Sequence, residues 1–227
     1  TQQLVKQSFY SASIAVLESA WAWWAGDAKI KPLLHIEGLE HLQAAEQLNK
    51  GVLMLGGHYT TLEISGRLLA YLRDNVYPTY KPAHNELFEL FMTRGRRRMN
   101  KGLISSDDMR GILKTLKQQG IIWYAPDQDF GHERSVFAPF MGVQTATLTM
   151  SARLARAAGA PIVPFYSERL PGTQGYLIRF GPMLADFPSG DDVRDASAVN
   201  AAIEQQVRRT PAQYLCCLLY TSDAADE

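Results

Sequence analysis

The sequence contains little cysteine and carries no net charge. Its two cysteines, Cys216 and Cys217, are adjacent, so they supply neither a disulfide framework nor the spaced ligands of a zinc site. The 23 basic and 23 acidic residues cancel. Attraction to an anionic partner therefore has to come from local patches, and no nucleic-acid partner is predicted. Hydrophobic residues make up 46% of the chain, yet no apolar run approaches the length that spans a bilayer.

Motifs of several common enzyme classes are also missing. The sequence has no Gly-x-Ser-x-Gly elbow, no phosphate-binding loop that ends in Gly-Lys-Ser/Thr and no Gly-x-Gly-x-x-Gly. These absences disfavour a serine hydrolase, a nucleotide-triphosphate enzyme and a nicotinamide enzyme. No cofactor and no metal ion are predicted.

The order of apolar segments predicts the fold class. Runs such as "GVLML" and "GIIWY" are typical of buried strands, and they alternate with segments of helical periodicity, one of them near 146–158. This order favours an α/β fold with a central, largely parallel sheet flanked by helices. A first helix is predicted over 4–25, with three tryptophans near its end. We favour a core helix whose last turn packs on the domain over an interfacial helix, although tryptophan prefers the membrane–water boundary.

The stretch "GGHYTTLE" places a histidine where a buried strand ends and a helix begins. Ligands collect at the carboxyl ends of strands in open α/β sheets, and Gly56 and Gly57 leave room for a substrate to approach the backbone. If His58 lies in the turn and Glu63 in the first helical turn, the carboxylate can orient the imidazole. The spacing fits a capping box equally well, with Thr60 as the N-cap and Glu63 three residues later.

A cluster of cations and one aspartate add to this polar set. Four arginines in five residues surround a glycine, and a lysine follows: Arg94, Arg96, Arg97, Arg98 and Lys101. One or two cations suffice to complement a helix dipole, so the others favour phosphate binding, which the forked arginine donors match. Asp127 follows the strand "GIIWY". It is either a turn residue after Pro126 or a carboxylate that faces the same crevice as His58.

Six blocks of the sequence resemble the late acyltransferases of lipid A biosynthesis. His58-x-x-x-x-Glu63 resembles the His-x4-Asp/Glu signature of glycerolipid-type acyltransferases. The blocks that narrow the resemblance are "HYTTLEISGRLL", "YKPAHNELFE", "TRGRRRMNKGLI", "WYAPDQDFG", "SVFAPFMGVQTAT" and "RTPAQYL". They occur in the family's order over about residues 8–215. Members of this family are lauroyl, myristoyl or palmitoleoyl transferases that act on a Kdo-bearing lipid IVA precursor.

The resemblance implies a reaction and a set of site residues. A fatty acyl group moves from an acyl carrier protein thioester to a hydroxyl of the lipid A precursor, at the cytoplasmic face of the bacterial inner membrane. The catalytic dyad falls on His58 and Glu63. The family's essential arginine and aspartate fall on Arg96 and Asp127. The neighbouring cations expected to bind substrate with them are Arg94, Arg98 and Lys101.

The resemblance also divides the chain. Residues 1–215 are predicted to form a single acyltransferase domain that lacks the family's usual N-terminal membrane-anchor helix. After "QYL" the family continues with a tryptophan and a basic stretch, whereas this sequence reads "CCLLYTSDAADE". Residues 216–227 are therefore predicted to be a non-native tail.

Three alternative functions remain open. A glycerol-phosphate-type acyltransferase shares the His-x4-Glu motif, but "DQDFG" stands where its Gly-Thr-Arg block is expected. A metal-dependent hydrolase has suitable ligand types, although their spacing matches no compact metal motif: His58, Glu63, Asp127, Asp129 and His132. A non-catalytic membrane lipid-binding protein would account for the tryptophan-rich helix and the arginine cluster.

Overall fold

The computed structural model describes residues 2–128 and 135–215, and the predicted tail, residues 216–227, lies outside the described residues. Nine strands occur in the described ranges. They are β1 (Leu34–Glu37), β2 (Val52–Leu55), β3 (Val76–Tyr80), β4 (Ile104–Ser105), β5 (Ile121–Tyr124), β6 (Ser135–Phe140), β7 (Val143–Leu148), β8 (Ile162–Arg169) and β9 (Tyr176–Phe180).

Helices surround these strands in the same part of the chain. They are α1 (Gln2–Trp24), α2 (Asp27–Ile30), α3 (Leu39–Glu46), α4 (Leu62–Ala70), α5 (Glu86–Arg97), α6 (Met109–Lys117), α7 (Met150–Ala158) and α8 (Asp192–Arg209). Short 3₁₀ turns lie at Lys31–Leu33 and Pro211–Gln213. None of the helices described combines the length and the apolar composition needed to cross a membrane.

The central sheet has the order β1-β9-β8-β2-β5-β3-β4. The five strands from β8 to β4 run parallel to one another, β9 pairs antiparallel to β8, and β1 pairs parallel to β9. The prediction of an α/β fold with a largely parallel sheet is therefore confirmed. Because the central strands are parallel, the carboxyl ends of β2, β5 and β8 meet at one edge.

Both faces of this sheet are buried. Successive side chains of a strand point to opposite faces. Val52 and Met54 of β2 accordingly join one hydrophobic core, while Leu53 and Leu55 join the other. This explains why the central strands appear in the sequence as continuous apolar runs rather than as alternating patterns.

The segment before α7 differs from the prediction. Residues 135–148 form an antiparallel hairpin of β6 and β7, in which Phe140 pairs with Val143 across a two-residue turn. Both turn residues, Met141 and Gly142, have positive φ, 51° and 85°, as a tight hairpin turn requires. The predicted helix near 146–158 therefore begins only at Met150.

Helix α1 differs from the prediction in which of its faces is buried. Its last turn packs on the domain as expected, since Ala22 and Trp23 are buried. Farther towards its start, large apolar side chains face outwards, among them Phe9 at 72% and Leu17 at 74% exposure. The buried face instead contains Glu18, which accepts hydrogen bonds from an arginine and a tyrosine of the sheet. The core-helix interpretation is thus confirmed for the last turn and wrong for the exposed apolar residues before it.

Candidate active site

A histidine and an aspartate meet at the carboxyl ends of β2 and β5. The two strands pair in register with Leu55 opposite Tyr124, and His58 and Asp127 each follow three residues later. The ring Nδ1 of His58 lies 2.6 Å from Asp127 Oδ1, and the His58 backbone N–H donates to Oδ2 at 2.7 Å. Asp127 is fully buried, whereas 25% of the His58 side chain is exposed. One carboxylate therefore fixes both the backbone and the ring of the histidine.

This contact determines which ring nitrogen can accept a proton. A carboxylate oxygen facing Nδ1 requires an N–H donor there, which leaves Nε2 as the acceptor. The side-chain amide of Gln128 lies 3.2 Å from Nε2 and donates to it. The Trp123 ring packs edge-on against the imidazole, with 6.4 Å between ring centroids. The acceptor nitrogen of the ring is thus Nε2.

The two glycines before His58 accommodate side chains of the protein itself. A Cβ atom on Gly56 would lie 2.5 Å from Trp123 Nε1. A Cβ atom on Gly57 would lie 3.0 Å from the Tyr59 ring and 3.2 Å from Asp127 Oδ2. The space that the sequence suggested for a substrate is therefore filled by Trp123, Tyr59 and Asp127.

The end of the described chain holds this turn in place. The backbone N–H of Thr60 donates to Gln213 O, and the N–H of Leu215 donates to His58 O, both at 2.8 Å. Burial, and then the negative charge of Asp127, raise the pKa of Tyr59. Its hydroxyl therefore stays protonated, and it donates to Ile203 O. The turn is a rigid support for the imidazole.

Glu63 lies in a second polar contact. Arg96 Nε lies 3.1 Å from each Glu63 carboxylate oxygen, and Arg96 Nη2 also donates to Oε1. Trp23 Nε1 donates to Glu63 Oε2 at 2.6 Å. The Glu63 and Arg96 side chains are 11% and 14% exposed. Glu63 therefore links the start of α4 to the ends of α1 and α5.

The capping-box interpretation of Glu63 is wrong. Helix α4 begins at Leu62, with Thr61 as the N-cap residue and no side-chain capping bond. The Thr60 hydroxyl instead hydrogen-bonds the Ser11 hydroxyl of α1 at 2.8 Å. Thr60 therefore links α4 to α1 rather than capping the helix.

The structure brings together a different pair from the one expected. The carboxylate hydrogen-bonded to His58 is Asp127, in the position that the sequence suggested for Glu63. The participation of Glu63 in catalysis stays a prediction, as does substrate binding by Arg96 and Asp127.

The cationic cluster separates into one inner and several outer side chains. Arg96 is held by Glu63, whereas Arg94, Arg98 and Lys101 are exposed. The Arg98 guanidinium lies 5.4 Å from the Trp24 ring centroid, in a cation–π contact. Substrate binding by these three outer cations stays a prediction.

The glycine of the cluster has a packing role. A Cβ on Gly95 would lie 2.5 Å from the Trp23 ring. The glycine therefore allows α5 to pack closely against α1.

Sequence reasoning missed the tryptophans and the amide around the site. Trp23, Trp123 and Gln128 contact its carboxylate or imidazole groups. The position of Gln128 directly after Asp127 was the sequence signal from which its role at the site could have been predicted. No pattern distinguished Trp23 from the other tryptophans of its helix.

Two members of the suggested metal-ligand set, Asp129 and His132, lie outside the described residues. Within residues 2–128 and 135–215, no three histidine, cysteine or acidic side chains are grouped closely enough to hold a metal ion.

A histidine backed by a buried carboxylate, at the carboxyl ends of parallel strands, is suited to general-base chemistry. The family model for bacterial lipid A biosynthesis acyltransferases matches residues 1–218. The chain belongs to this family, which confirms the resemblance of the six sequence blocks.

Two relatives from Escherichia coli (strain K12) illustrate the similarity. The lipid A biosynthesis palmitoleoyltransferase is 35% identical over 215 residues, which cover 94% of this chain and 70% of the relative. The lipid A biosynthesis lauroyltransferase is 33% identical over the same length and coverage. Among solved structures, the 1-acyl-sn-glycerophosphate acyltransferase PlsC from Thermotoga maritima superposes with a TM-score of 0.46 and 11% identity. The superposition covers 91% of this chain and 80% of that chain.

Proposed function

We propose that this protein transfers a fatty acyl group from an acyl carrier protein thioester to a hydroxyl of a lipid A precursor, at the inner-membrane surface. Membership of the lipid A acyltransferase family supports acyl transfer to lipid A. The observation that carries the mechanism is the Asp127–His58 contact, which leaves Nε2 as the proton acceptor.

His58 acts as the general base in this proposal. The acceptor hydroxyl replaces the Gln128 amide at Nε2, and Nε2 takes the hydroxyl proton as the hydroxyl oxygen forms a bond to the thioester carbonyl carbon. Asp127 stabilises the imidazolium that forms. When the tetrahedral intermediate collapses, the carbon–sulfur bond breaks and the imidazolium returns the proton to the departing thiolate. The products are an ester and a free thiol, and the histidine is regenerated.

The turn that holds His58 also offers a donor to the oxyanion. The N–H of Gly56 donates to Tyr124 O at 2.9 Å, and the N–H of His58 donates to Asp127. Within the described part of the chain, the N–H of Gly57, next to His58, makes no backbone hydrogen bond. We assign it as the candidate oxyanion donor, since backbone amides are effective in this role.

The outer cations suit the anionic groups of a lipid acceptor. Arg94, Arg98 and Lys101 are exposed, so their donors are accessible. Arginine forks match phosphate geometry. Arg96 already forms an ion pair with Glu63, and its role is to position α5 and the outer cations relative to the site.

Exposed apolar side chains support a membrane-surface location. Along α5, Leu87, Phe88, Leu90 and Phe91 are each exposed by half or more, and the arginine cluster follows directly. Helix α1 also exposes large apolar side chains, among them Phe9 and Leu17. Apolar side chains bordered by cations favour an anionic lipid interface.

Replacement of the histidine tests the proposal. General-base catalysis contributes about 10²–10⁴-fold, so His58→Ala should lose at least about 10²-fold in turnover. The assay supplies lauroyl, myristoyl and palmitoleoyl acyl carrier protein thioesters with the lipid acceptor in detergent, and mass spectrometry measures the product. His35→Ala is the matched control, because His35 is exposed on β1. Wild-type turnover in His58→Ala would remove His58 from the mechanism. A non-catalytic lipid-binding protein would show no transfer in either variant.

A further inference from the structure

Helices α6 and α7 carry cations and no acidic residues. Their sequences, "MRGILKTLK" and "MSARLARAA", contain neither aspartate nor glutamate. All their charged side chains are exposed, and we call this set the cationic face: Arg110, Lys114, Lys117, Arg153 and Arg156. Because the chain as a whole has no net charge, positive charge is concentrated on these two helices.

The cations of both helices point away from the sheet. Those of α6 are spaced three or four residues apart, so they share one face of the helix. Ile112 and Leu116, on the other face of α6, belong to the same core as Leu154 and Ala155 of α7, and the two helices pack together. The cations of α6 and α7 are therefore neighbours on one outer surface.

Most of this charge is not neutralised by the protein. Within residues 2–128 and 135–215, four members of the cationic face form no ion pair: Arg110, Lys114, Lys117 and Arg153. The fifth, Arg156, lies 3.9 Å from Asp195. Asp108, just before α6, accepts a hydrogen bond from the Gly111 N–H and caps the helix. The guanidinium and ammonium groups are thus available to an anionic partner.

The cationic face lies across the sheet from the surface that we assign to the membrane. Helices α1 and α5 contribute to one core, and α6 and α7 contribute to the other. Neither α6 nor α7, both of which the structure describes in full, exposes a large apolar side chain. A membrane-surface helix combines cations with exposed apolar residues. Cations alone suit an acidic protein instead.

Helix α6 begins at the edge of the sheet that holds the candidate active site. It connects β4 to β5, and both strands run parallel to β2 within the sheet. The first turn of α6, which contains Arg110, therefore follows the carboxyl end of a strand, as His58 does. A protein bound to the cationic face has access to this edge from the side opposite to α5.

We propose that the cationic face docks the acyl carrier protein that delivers the thioester, by pairing with carboxylates on the surface of the carrier. The inference rests on the proposed acyl transfer. Complementary charges speed association and select the partner. The two substrates then approach His58 from different sides of the sheet: the membrane-bound acceptor from the side of α5, and the soluble donor from the side of α6 and α7.

A double charge reversal tests the proposal. Lys114→Glu/Arg153→Glu changes one exposed cation on each helix. The KM for lauroyl acyl carrier protein should rise at least about 10-fold more than the KM for the carrier-free donor lauroyl-N-acetylcysteamine, because like charges across an interface repel. Added salt should lower kcat/KM for the carrier-bound donor more in wild type than in the variant, since salt screens exposed charges. An equal rise in both KM values would indicate damage to the site and would overturn the inference.

Two further variants control for folding and for net charge. Lys114→Gln/Arg153→Gln should shift the same KM ratio in the same direction by a smaller factor, and thermal unfolding reports whether each variant is folded. Lys6→Glu/Lys29→Glu makes the same change in net charge on exposed residues of α1 and α2. It should leave binding of the carrier unchanged.

A binding assay separates this inference from the proposed function. Fluorescence anisotropy of labelled lauroyl acyl carrier protein measures docking without turnover. If wild type transfers no acyl group to the lipid A precursor, but the double reversal weakens carrier binding at least about 10-fold, the docking assignment stands and the proposed function fails. If transfer is intact and the double reversal leaves carrier binding unchanged, the docking assignment is wrong and the proposed function stands.

The remaining outcomes also decide the matter. If the double reversal weakens sedimentation with anionic phospholipid vesicles and leaves carrier binding unchanged, the cationic face is a membrane surface and the inference is wrong. If wild type neither transfers an acyl group nor binds the carrier, both the docking assignment and the proposed function are wrong.

Discussion

Replacing Asp127 with asparagine exchanges one carboxylate oxygen for an amide NH₂ and tests the geometry of the site directly. Asp127 Oδ2 accepts from the His58 backbone N–H at 2.7 Å, while Oδ1 faces the ring Nδ1 at 2.6 Å. Asparagine has a single acceptor oxygen, and the backbone N–H cannot become an acceptor. The amide oxygen must therefore face the backbone, and the amide NH₂ must face Nδ1. Nδ1 then has to accept, so the ring proton moves to Nε2.

The magnitude follows from this change of tautomer. With its proton on Nε2, the imidazole cannot take a proton from the acceptor hydroxyl. General-base catalysis is worth about 10²–10⁴-fold, and the same replacement in the serine-protease triad lowers kcat by about 10⁴-fold for this reason. We expect Asp127→Asn to lower kcat by about 10²–10⁴-fold. Both hydrogen bonds remain possible, so the free energy of unfolding should change by only about 1 kcal/mol.

Two measurements check the prediction. Turnover is measured with acyl carrier protein thioesters and lipid acceptor in detergent, and thermal unfolding confirms the fold. Nitrogen NMR of labelled histidine then reports the His58 tautomer, with the exposed His35 as an internal reference. Wild-type turnover, or a ring proton that stays on Nδ1, would refute the reasoning. Lost turnover with an unchanged tautomer would show that Asp127 acts in some other way.

The remaining predictions concern the second carboxylate and the membrane surface. Glu63→Gln leaves the Arg96 charge unpaired in a mostly buried site, so the free energy of unfolding should fall by about 3–5 kcal/mol. In chemical denaturation, the free energy of unfolding of the double variant Glu63→Gln/Arg96→Gln should be at least about 1 kcal/mol higher than that of Glu63→Gln alone. Strictly additive effects of the two replacements would contradict the coupling. Phe91→Glu should weaken sedimentation with anionic phospholipid vesicles. Val193 of α8 is equally exposed, and Val193→Glu should leave sedimentation with the vesicles unchanged. An equal loss of vesicle binding in both variants would count against an α5 interface.

The sequence was sufficient to predict most of the fold. Central strands such as Val52–Leu55 stand out because burial on both faces produces uninterrupted apolar runs. The hairpin at 135–148 was missed because it lies outside the main sheet and mixes apolar with polar residues. The apolar side chains of α1 recur at helical spacing whether they face a core or the outside. Periodicity therefore identified the helix but could not assign its buried face.

The candidate site was only partly predictable for a different reason. His58 follows from a local signal, a strand that ends in glycines. The partner of Glu63 depends on how α4 and α5 each pack against α1, which no sequence spacing records. The contact between Glu63 and Trp23 likewise joins residues 40 apart, and its geometry depends on Gly95 allowing α1 and α5 to approach.

Strand order explains why the imidazole pairs with Asp127, 69 residues away, rather than with the carboxylate five residues away. β2 and β5 are neighbours in register, so equal offsets past Leu55 and Tyr124 place the two side chains opposite each other. Glu63 has already entered α4, where its side chain is directed to α1 and α5. The two carboxylates thus divide two tasks: Asp127 orients the imidazole, and Glu63 joins α4 to α1 and α5. A parallel sheet achieves this division because it aligns the ends of strands that are distant in sequence.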